Sequence, residues 1–207
     1  MSNKVLVVKG HPLTSEESYS MKGLDAFLET YEKVNPQDTI EVLDVFSDFI
    51  PEVDQDIMVA WGALADGSDF ASLSSEQQKK VARFNELTEQ FLAADKVVIV
   101  NPLWNLFLPA SLKAWIDTVM VAGKTFRYTE NGPEGLAKGK KLLHLQANGG
   151  VYQLQDPAST YVKSIFGFIG VEDITQIEVE GHAYDPANAE NLKNEFIQNV
   201  KTAAATF

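Results

Sequence analysis

The segment Asn101–Ala110 places a flat aromatic ring and a side-chain amide directly after an apolar run of β-branched residues. Trp104 and Asn105 stand in a loop that begins at Pro102 and leads into a helix at Pro109. In parallel sheets, ligands bind outside the carboxyl ends of the strands, where such loops emerge. An indole can pack against a flat ring while the neighbouring amide bonds to the polar edge of that ring. The segment therefore indicates a site for a planar ligand.

Another loop, residues 10–20, is the first of the three in chain order and carries groups that can hold an anion. It leads into the N-terminus of a predicted helix, where free backbone N–H groups and the helix dipole favour negative charge. Ser18 and Ser20 add hydroxyl groups that can bond to a phosphate, although either serine could simply cap the helix. The loop has neither a G-x-G-x-x-G nor a G-x-x-x-x-G-K-[ST] pattern, which disfavours a Rossmann-bound NAD and ATP.

The third loop, Gln146–Gly150, follows another apolar run and contains two adjacent glycines. Glycines let backbone amides approach a ligand closely, although a plain turn would use the same pair. Because the carboxyl ends of parallel strands meet at one edge of a sheet, we expect the three loops to lie together. A phosphate at residues 10–20 and a flat ring between the other two loops would suit a mononucleotide of flavin size.

Short apolar runs alternate with amphipathic segments along the chain and predict the elements that position these loops. The predicted strands are Val5–Lys9, Thr39–Val45, Lys96–Asn101, Lys141–Gln146 and Ile174–Glu180. The predicted helices are Ser20–Lys33, Ile57–Ala65, Ser75–Ala93, Ala110–Val121, Ala158–Phe168 and Asn188–Ala204. This alternation predicts an α/β fold, with a doubly wound, five-stranded parallel sheet of flavodoxin-like order 2-1-3-4-5 and helices on both faces.

The chain length suits one domain, which we expect to span residues 1–207. Residues 51–73 are a long connection between a strand and a helix, so an insertion near the site or a partner contact is expected there. Ser74 and Gln77 have the spacing of a capping box, which predicts where the following helix begins.

Composition disfavours several classes of function. The net charge is −12, from 29 acidic against 17 basic residues, and nucleic acids and anionic membranes are bound mainly through Lys and Arg. The chain has no cysteine and only three scattered histidines, so we expect neither thiol chemistry nor a metal site. No apolar run approaches the roughly 20 residues of a membrane span. The N-terminus leads straight into a strand rather than a signal peptide, so the expected location is the cytoplasm.

Beyond these patterns, the chain resembles the FMN-dependent NADH-azoreductases, also described as FMN-dependent NADH:quinone oxidoreductases, over almost its whole length. The residues that carry the resemblance are Lys4–Lys9, Ser18, Ser20, Pro102–Leu106, Thr125–Leu136, Asn148–Gly150 and Phe166–Gly170. The T-F-R-Y-T-E-N-G-P-E-G-L stretch at Thr125–Leu136 makes the match specific, since a generic flavodoxin is not expected to carry it.

The resemblance implies a homodimer with one FMN per subunit at the interface, NADH as electron donor, and hydride transfer to a quinone or an azo compound. By position in the matching motifs, Ser18, Tyr19 and Ser20 would hold the FMN phosphate. The ring-binding loops would consist of Pro102, Leu103, Trp104, Asn105 and Leu106 on one side and Ala147, Asn148, Gly149 and Gly150 on the other. His11 stands where relatives carry a serine near the phosphate, and a neutral histidine can still donate one hydrogen bond.

Relatives often carry Met, Tyr and Phe where this chain has Leu103, Trp104 and Leu106, so these three residues are expected to set which acceptors fit. No catalytic side chain is expected, because the cofactor would carry the chemistry and no G-x-S-x-G elbow is present. Two alternatives stay open. One is a flavodoxin-type electron carrier whose acidic surface docks a basic partner. The other is a non-flavin interaction protein in which the three loops only cap the fold.

Overall fold

The computed structural model describes residues 2–207, in which strands and helices alternate from end to end. The strands are β1 (Lys4–Lys9), β2 (Thr39–Asp44), β3 (Lys96–Pro102), β4 (Phe126–Thr129), β5 (Gly132–Gly135), β6 (Lys141–Ala147) and β7 (Asp173–Val179). The helices are α1 (Tyr19–Val34), α2 (Gln55–Ala65), α3 (Ser75–Ala93), α4 (Ala110–Val119), α5 (Pro157–Phe168) and α6 (Ala189–Thr206). A 3-10 turn at Phe70–Ser72 stands between α2 and α3.

Five strands form one parallel sheet in the order β2-β1-β3-β6-β7. Because β6 and β7 are the fourth and fifth strands of this sheet in chain order, the predicted order 2-1-3-4-5 is confirmed. Every residue of β3 is buried, as expected for the continuous apolar run of a strand covered on both faces. The sheet therefore aligns the carboxyl ends of β1, β3 and β6 along one edge.

Alternate residues of each strand serve the two faces of the sheet. Leu6 and Val8 pack in one apolar cluster with α3, α4 and α5, whereas Val5 and Val7 pack in the other with α1 and α6. Gly23 allows α1 to lie close to α6, because a Cβ atom there would come within 2.6 Å of a ring carbon of Phe196. Both faces are covered, as the doubly wound fold requires.

The sequence prediction missed the antiparallel hairpin formed by β4 and β5. A turn signal was present in Asn131-Gly132, although the two residues that connect the strands are Glu130 and Asn131, and Gly132 pairs with Thr129. A Cβ atom on Gly135 would lie 2.3 Å from the backbone nitrogen of Gly170. The hairpin therefore packs directly against the chain that leaves α5.

Several predicted boundaries were off by one or two residues. The helix predicted from Ser20 begins at Tyr19, because the hydroxyl of Ser18 accepts the Met21 N–H at 3.4 Å as its N-cap. The helix predicted to end at Val121 ends at Val119, because the Val121 N–H donates to Thr125 Oγ1 at 3.1 Å instead of continuing the helix. Boundaries of this kind depend on single capping contacts.

The segment 51–73 is largely structured. It consists of α2, which begins two residues before the prediction because Asp54 caps it, and the 3-10 turn. The rings of Trp61 and Phe84 lie 4.9 Å apart and pack α2 on α3. The predicted capping box of α3 is confirmed, since the Ser74 hydroxyl and the Gln77 side chain each accept the other residue's N–H. Among residues 2–207, none of the helices has the length and apolar composition needed to cross a bilayer.

Candidate functional site

The three loops predicted from the sequence lie side by side at the carboxyl edge of the sheet. The Gly10 N–H donates to the Val100 carbonyl at 2.7 Å and joins the ends of β1 and β3. The Leu103 N–H donates to the Ala147 carbonyl at 2.9 Å and joins the ends of β3 and β6. A ligand bound at this edge would therefore meet all three loops.

The first loop brings Ser18 and Ser20 together at the start of α1. Both side chains are buried, and their hydroxyl oxygens lie 3.0 Å apart. Ser18 also caps the helix, so the capping interpretation holds as well. The first turn of α1 contains no acidic residue, which leaves its N-terminal N–H groups suited to an anion.

Tyr19 links this loop to a part of the chain that the sequence analysis missed. Its ring lies 4.5 Å from the ring of His182, in the loop after β7. The N–H groups of Gly181 and Ala183 in that loop donate to the carbonyls of Gly150 and Gly149 at 2.9 and 3.2 Å. The loop after β7 therefore connects the first and third predicted loops.

His11 belongs to the first loop, and its ring approaches the second loop. Its ring lies 5.4 Å from the ring of Trp104, and its Nδ1 accepts the Leu13 N–H at 3.0 Å. The neutral ring therefore carries its proton on Nε2, which can act as a donor. Burial lowers the pKa of His11, the charge of Lys9 lowers it further, and the charge of Glu17 opposes both effects. His11 is accordingly a neutral donor at pH 7.

The second loop is a tight turn in an unusual conformation. Trp104 and Phe107 exchange two backbone hydrogen bonds of 3.0 and 2.9 Å around Asn105 and Leu106. The φ angles of these central residues are 51° and 62°, the values of a type I′ turn, which favours Asn and Gly. Leucine is disfavoured there by about 1–2 kcal/mol. Strain of this kind is concentrated at functional sites.

The turn presents an apolar rim beside the loops. Trp104 and Leu106 are 42% and 51% exposed, and Leu103 is half-buried at their base. The ring of Phe46, in the segment after β2, lies 6.2 Å from the Trp104 ring at 70°. Phe46 was not among the predicted site residues, because the approach of the β2 loop to Trp104 is a property of the folded chain.

The third loop is held by its buried amide, Asn148. The Asn148 N–H donates to the Val179 carbonyl at 2.7 Å, and its Nδ2 donates to Glu178 Oε2 at 2.7 Å. Its Oδ1 accepts from Gln146 Nε2 at 2.9 Å. Every polar atom of the side chain is thus engaged with the protein, so Asn148 shapes the loop from below while Gly149 and Gly150 lie half-buried at the surface.

A buried network of polar side chains supports the second and third loops from beneath. Asn101 Nδ2 donates to Gln146 Oε1 at 3.1 Å, and Asn101 Oδ1 lies 2.8 Å from His144 Nε2. The Gln176 amide lies 3.0 Å from His144 Nδ1. Burial lowers the pKa of His144 to about 4, so the ring is neutral and donates from Nε2. The sequence signal for this network was the presence of polar residues inside an otherwise apolar strand.

The predicted residues therefore form one surface with an anion-suited end and an apolar end. Pro102 and Ala147 end their strands. The loops that follow them, residues 103–108 and 148–151, contain no charged side chain. Among residues 2–207, no group of three His, Asp or Glu side chains could hold a metal ion. The arrangement can bind a flat, polar-edged ring with an attached phosphate, and its protein groups alone provide no redox chemistry.

Comparison of the sequence with known proteins points to one family. A family model described by the flavodoxin-like fold matches residues 3–203. The chain is 48% identical over 196 residues to the FMN-dependent NADH:quinone oxidoreductase of Streptococcus suis (strain 98HAH33), with 95% of each chain covered. It is 47% identical over 210 residues to the protein of the same name from Geobacillus kaustophilus (strain HTA426), with 99% of each chain covered.

Comparison of the structure gives the same result. An azoreductase from Bacillus anthracis str. Sterne is similar with a TM-score of 0.91 at 38% identity, and 100% of each chain is covered. An FMN-dependent NADH-azoreductase from Bacillus anthracis str. Ames Ancestor, solved in complex with FMN, has a TM-score of 0.91 at 34% identity, covering 99% of this chain and 98% of that chain. Because both similarities span nearly the full length, they include the three loops.

Proposed function

Since the chain belongs to the family of FMN-dependent NADH:quinone oxidoreductases with the flavodoxin-like fold, we propose that it is an enzyme that binds FMN and transfers two electrons from NADH to quinones and azo compounds. The observation that carries the proposal is the junction of three loops at one sheet edge, one suited to a phosphate and two suited to a flat ring. We also propose that residues 1–207 form one FMN-binding domain.

The residues at the phosphate end fit FMN. The N-terminus of α1 and the buried hydroxyls of Ser18 and Ser20 would hold the phosphate, and His11 would donate from Nε2. These donors satisfy a phosphate without a lysine or arginine, as helix N-termini can. Tyr19, whose ring packs at a tilt against the ring of His182, would form the wall of this end.

The residues at the ring end fit an isoalloxazine. Pro102, Leu103, Trp104, Asn105 and Leu106 would border one side of the ring, and Ala147, Asn148, Gly149 and Gly150 the other. Apolar side chains would cover the flat face of the ring. The backbone amides of Gly149 and Gly150 in the third loop would face its polar pyrimidine edge. Fixed amide dipoles of this type stabilise negative charge that develops on a bound group.

When bound, FMN supplies the redox chemistry, being reduced by NADH and oxidised by a quinone or an azo compound. The chain contributes binding, orientation and exclusion of water. The exposed rim formed by Trp104 and Leu106 would contact NADH and the acceptor in turn and so influence which acceptors fit.

A second copy of the chain would complete the protein. The resemblance implies a homodimer, and the structure offers a surface for it, which we call the α2 surface: Phe46, Phe49, Val53, Met58 and Val59, which are 37–58% exposed. A groove of about 580 Å³ continues from Val53 to Phe84 and Met120. Because Phe46 contacts Trp104, a subunit on this surface would border the candidate site. We further propose a cytoplasmic location, where NADH is supplied, with no nucleic-acid or membrane partner.

Reconstitution with FMN tests the proposed function. Purified protein incubated with FMN and desalted is expected to stay yellow and to oxidise NADH only when a quinone or an azo dye is present. Protein that retains no FMN would contradict the flavin assignment. Protein that retains FMN, accumulates the one-electron reduced form and fails with every acceptor would instead support a flavodoxin-type carrier.

A further inference from the structure

Two carboxylates, those of Glu178 in β7 and Glu180 just after it, bind the backbone that follows the third loop. Glu180 Oε2 accepts the N–H groups of Tyr152 and Gln153 at 2.5 and 3.0 Å. Glu178 Oε1 accepts the N–H of Leu154 at 2.7 Å. Three consecutive backbone N–H groups therefore donate to two carboxylates at the carboxyl end of β7.

The segment held in this way is a second strained turn. The φ angles of Gln153 and Leu154 are 54° and 57°, and the Gln155 N–H donates to the Tyr152 carbonyl at 3.0 Å. A type I′ turn favours Asn and Gly at both central positions, and neither is present here. Strained backbone persists only where surrounding contacts hold it. The two carboxylates provide those contacts.

The second oxygen of Glu178 connects this turn to the candidate site. Glu178 Oε2 accepts from Asn148 Nδ2 at 2.7 Å, and Asn148 Oδ1 accepts from Gln146 Nε2 at 2.9 Å. Gln146 Oε1 in turn accepts from Asn101 Nδ2 at 3.1 Å. Hydrogen bonds therefore run without a break from the turn to the end of β3, below both loops that would border the ring.

We propose that Glu178 is a positioning residue for FMN, acting through Asn148 and the backbone of the turn at 152–155, with Glu180 as its support. The inference rests on the proposed function, since it places the ring between the loops that follow β3 and β6. Glu178 would act indirectly, because it fixes the shape of the third loop, and the third loop would border the ring.

The charge state of Glu178 decides how many bonds it can accept. Burial raises its pKa to about 7, the charges of Glu180 and Asp156 add to that effect, and the hydrogen bonds from Leu154 and Asn148 oppose it. Glu195 of α6 lines a groove with both carboxylates and adds negative charge on that side. The ionised form accepts from both donors. The protonated form uses one oxygen as a donor and loses one of the two bonds.

Two glutamine substitutions separate the roles of the carboxylates. Glu178→Gln replaces one acceptor by an NH₂ group, so one of the two bonds, to Leu154 or to Asn148, is lost. Glu180→Gln keeps a carbonyl oxygen, and one oxygen is all that Glu180 uses for its two donors. Glu172→Gln, at an exposed position just before β7, is the matched control.

The measurement is the FMN dissociation constant of the wild type and the three variants at pH 6 and pH 8. At pH 8 we expect Glu178→Gln to weaken FMN binding about tenfold, the equivalent of about 1.4 kcal/mol and close to one lost hydrogen bond to a charged group. At pH 6 its difference from the wild type is expected to shrink to about twofold. Glu172→Gln should stay within about twofold of the wild type at both values, and Glu180→Gln within about twofold at pH 8. A phosphate monoester such as that of FMN titrates near pH 6, and this effect is common to the wild type and the variants, so comparison with the wild type isolates Glu178.

The possible failures are distinguishable. Wild-type protein that binds no FMN overturns the proposed function and this inference with it. Wild-type protein that binds FMN, with Glu178→Gln equal to it at both pH values, overturns this inference alone. If Glu178→Gln does not fold, Glu178→Asp is used: its shorter reach should weaken binding while the dependence on pH persists, and unchanged binding overturns the inference.

Discussion

At the scale of single residues, Ser18 combines a structural and a proposed binding role. It caps α1, and its hydroxyl and that of Ser20 would bond to the FMN phosphate. We expect the double variant Ser18→Ala with Ser20→Ala to weaken FMN binding by a few kcal/mol, from about 1.5–3 kcal/mol for each bond to a charged group. Titration of the apoprotein with FMN, followed by fluorescence, measures this change.

Loss of a helix cap must be separated from loss of a phosphate contact. Ser74→Ala is the matched control, because Ser74 caps α3 in the same way and belongs to none of the three loops. Removal of either cap is expected to lower the free energy of unfolding by about 1 kcal/mol. Only the double variant should weaken FMN binding, and an equal affinity in all three proteins would place the phosphate elsewhere.

Leu106 is a second residue whose conformation and proposed role can be tested together. Glycine would remove about 1–2 kcal/mol of left-handed strain but lose about 0.5–1 kcal/mol of chain entropy, so Leu106→Gly should leave the protein equally or slightly more stable. The KM for quinones is expected to rise severalfold, because an exposed side chain of the apolar rim is lost. Urea unfolding and steady-state kinetics measure the two effects.

Asn105→Gly provides the comparison for this variant. Asparagine already tolerates positive φ, so its replacement relieves little strain. If Leu106→Gly raises the free energy of unfolding and Asn105→Gly does not, the gain comes from relief of the backbone strain at Leu106. An unchanged KM for every quinone in Leu106→Gly would show that the rim does not contact the acceptor.

The loops that carry the predicted site residues could be placed from the sequence, because each loop begins where an apolar run ends and contains residues typical of turns. Trp104, Ser18 and Gly149 stand in these loops. Phe46 and His182 could not be found in this way, since their loops follow the outer strands and approach the site only in the folded chain. The positive φ of Leu106 was hidden for a related reason, because nothing in the residue type indicates it.

At the scale of elements, the buried network between β3, β6 and β7 makes stability depend on pH. His144 has its pKa lowered to about 4, against about 6.5 in an unfolded chain. The unfolded state therefore binds more protons between these values, and the stabilisation present above pH 6.5 is lost as the pH falls toward 4. The loss amounts to about 3 kcal/mol for this group.

Glu178 acts in the opposite direction, since its raised pKa makes the folded state bind more protons between about pH 4.5 and 7. The wild type and His144→Gln both contain Glu178, so the difference between their free energies of unfolding does not include the contribution of Glu178. The variant should be less stable than the wild type at pH 7, with the gap closing as the pH falls to 4. Urea unfolding from pH 4 to 8 measures the gap, and a constant gap would rule out titration of His144 as the cause.

Element types were predictable where the apolar pattern was strong. β1 and β3 are continuous apolar runs, and α3 has a capping box, so their positions followed directly. β5 could not be found by pattern, because Gly132-Pro133-Glu134-Gly135 has no residue that favours a strand. The hairpin depends instead on the two-residue turn Glu130-Asn131, on the positive φ of Gly132 that follows it, and on packing against the chain after α5.

At the scale of the whole molecule, the net charge opposes dimer formation, whereas the exposed apolar surface favours it. Each chain carries a net charge of −12, so two copies repel at low ionic strength. The α2 surface supplies the opposing attraction, because it exposes several large apolar side chains on neighbouring segments. The proposed homodimer should therefore become tighter as salt screens the charge.

Substitution within the α2 surface tests this assembly. Val59→Lys places a charge within the surface, whereas Val34→Lys introduces the same charge at the end of α1, outside the surface. The two valines are 53% and 50% exposed, so neither change should disturb the folded chain. Light scattering is expected to give twice the mass of one chain for the wild type and Val34→Lys, and a single chain for Val59→Lys at micromolar concentration. A dimer that survives Val59→Lys would place the interface elsewhere, and a monomeric wild type would contradict the homodimer itself.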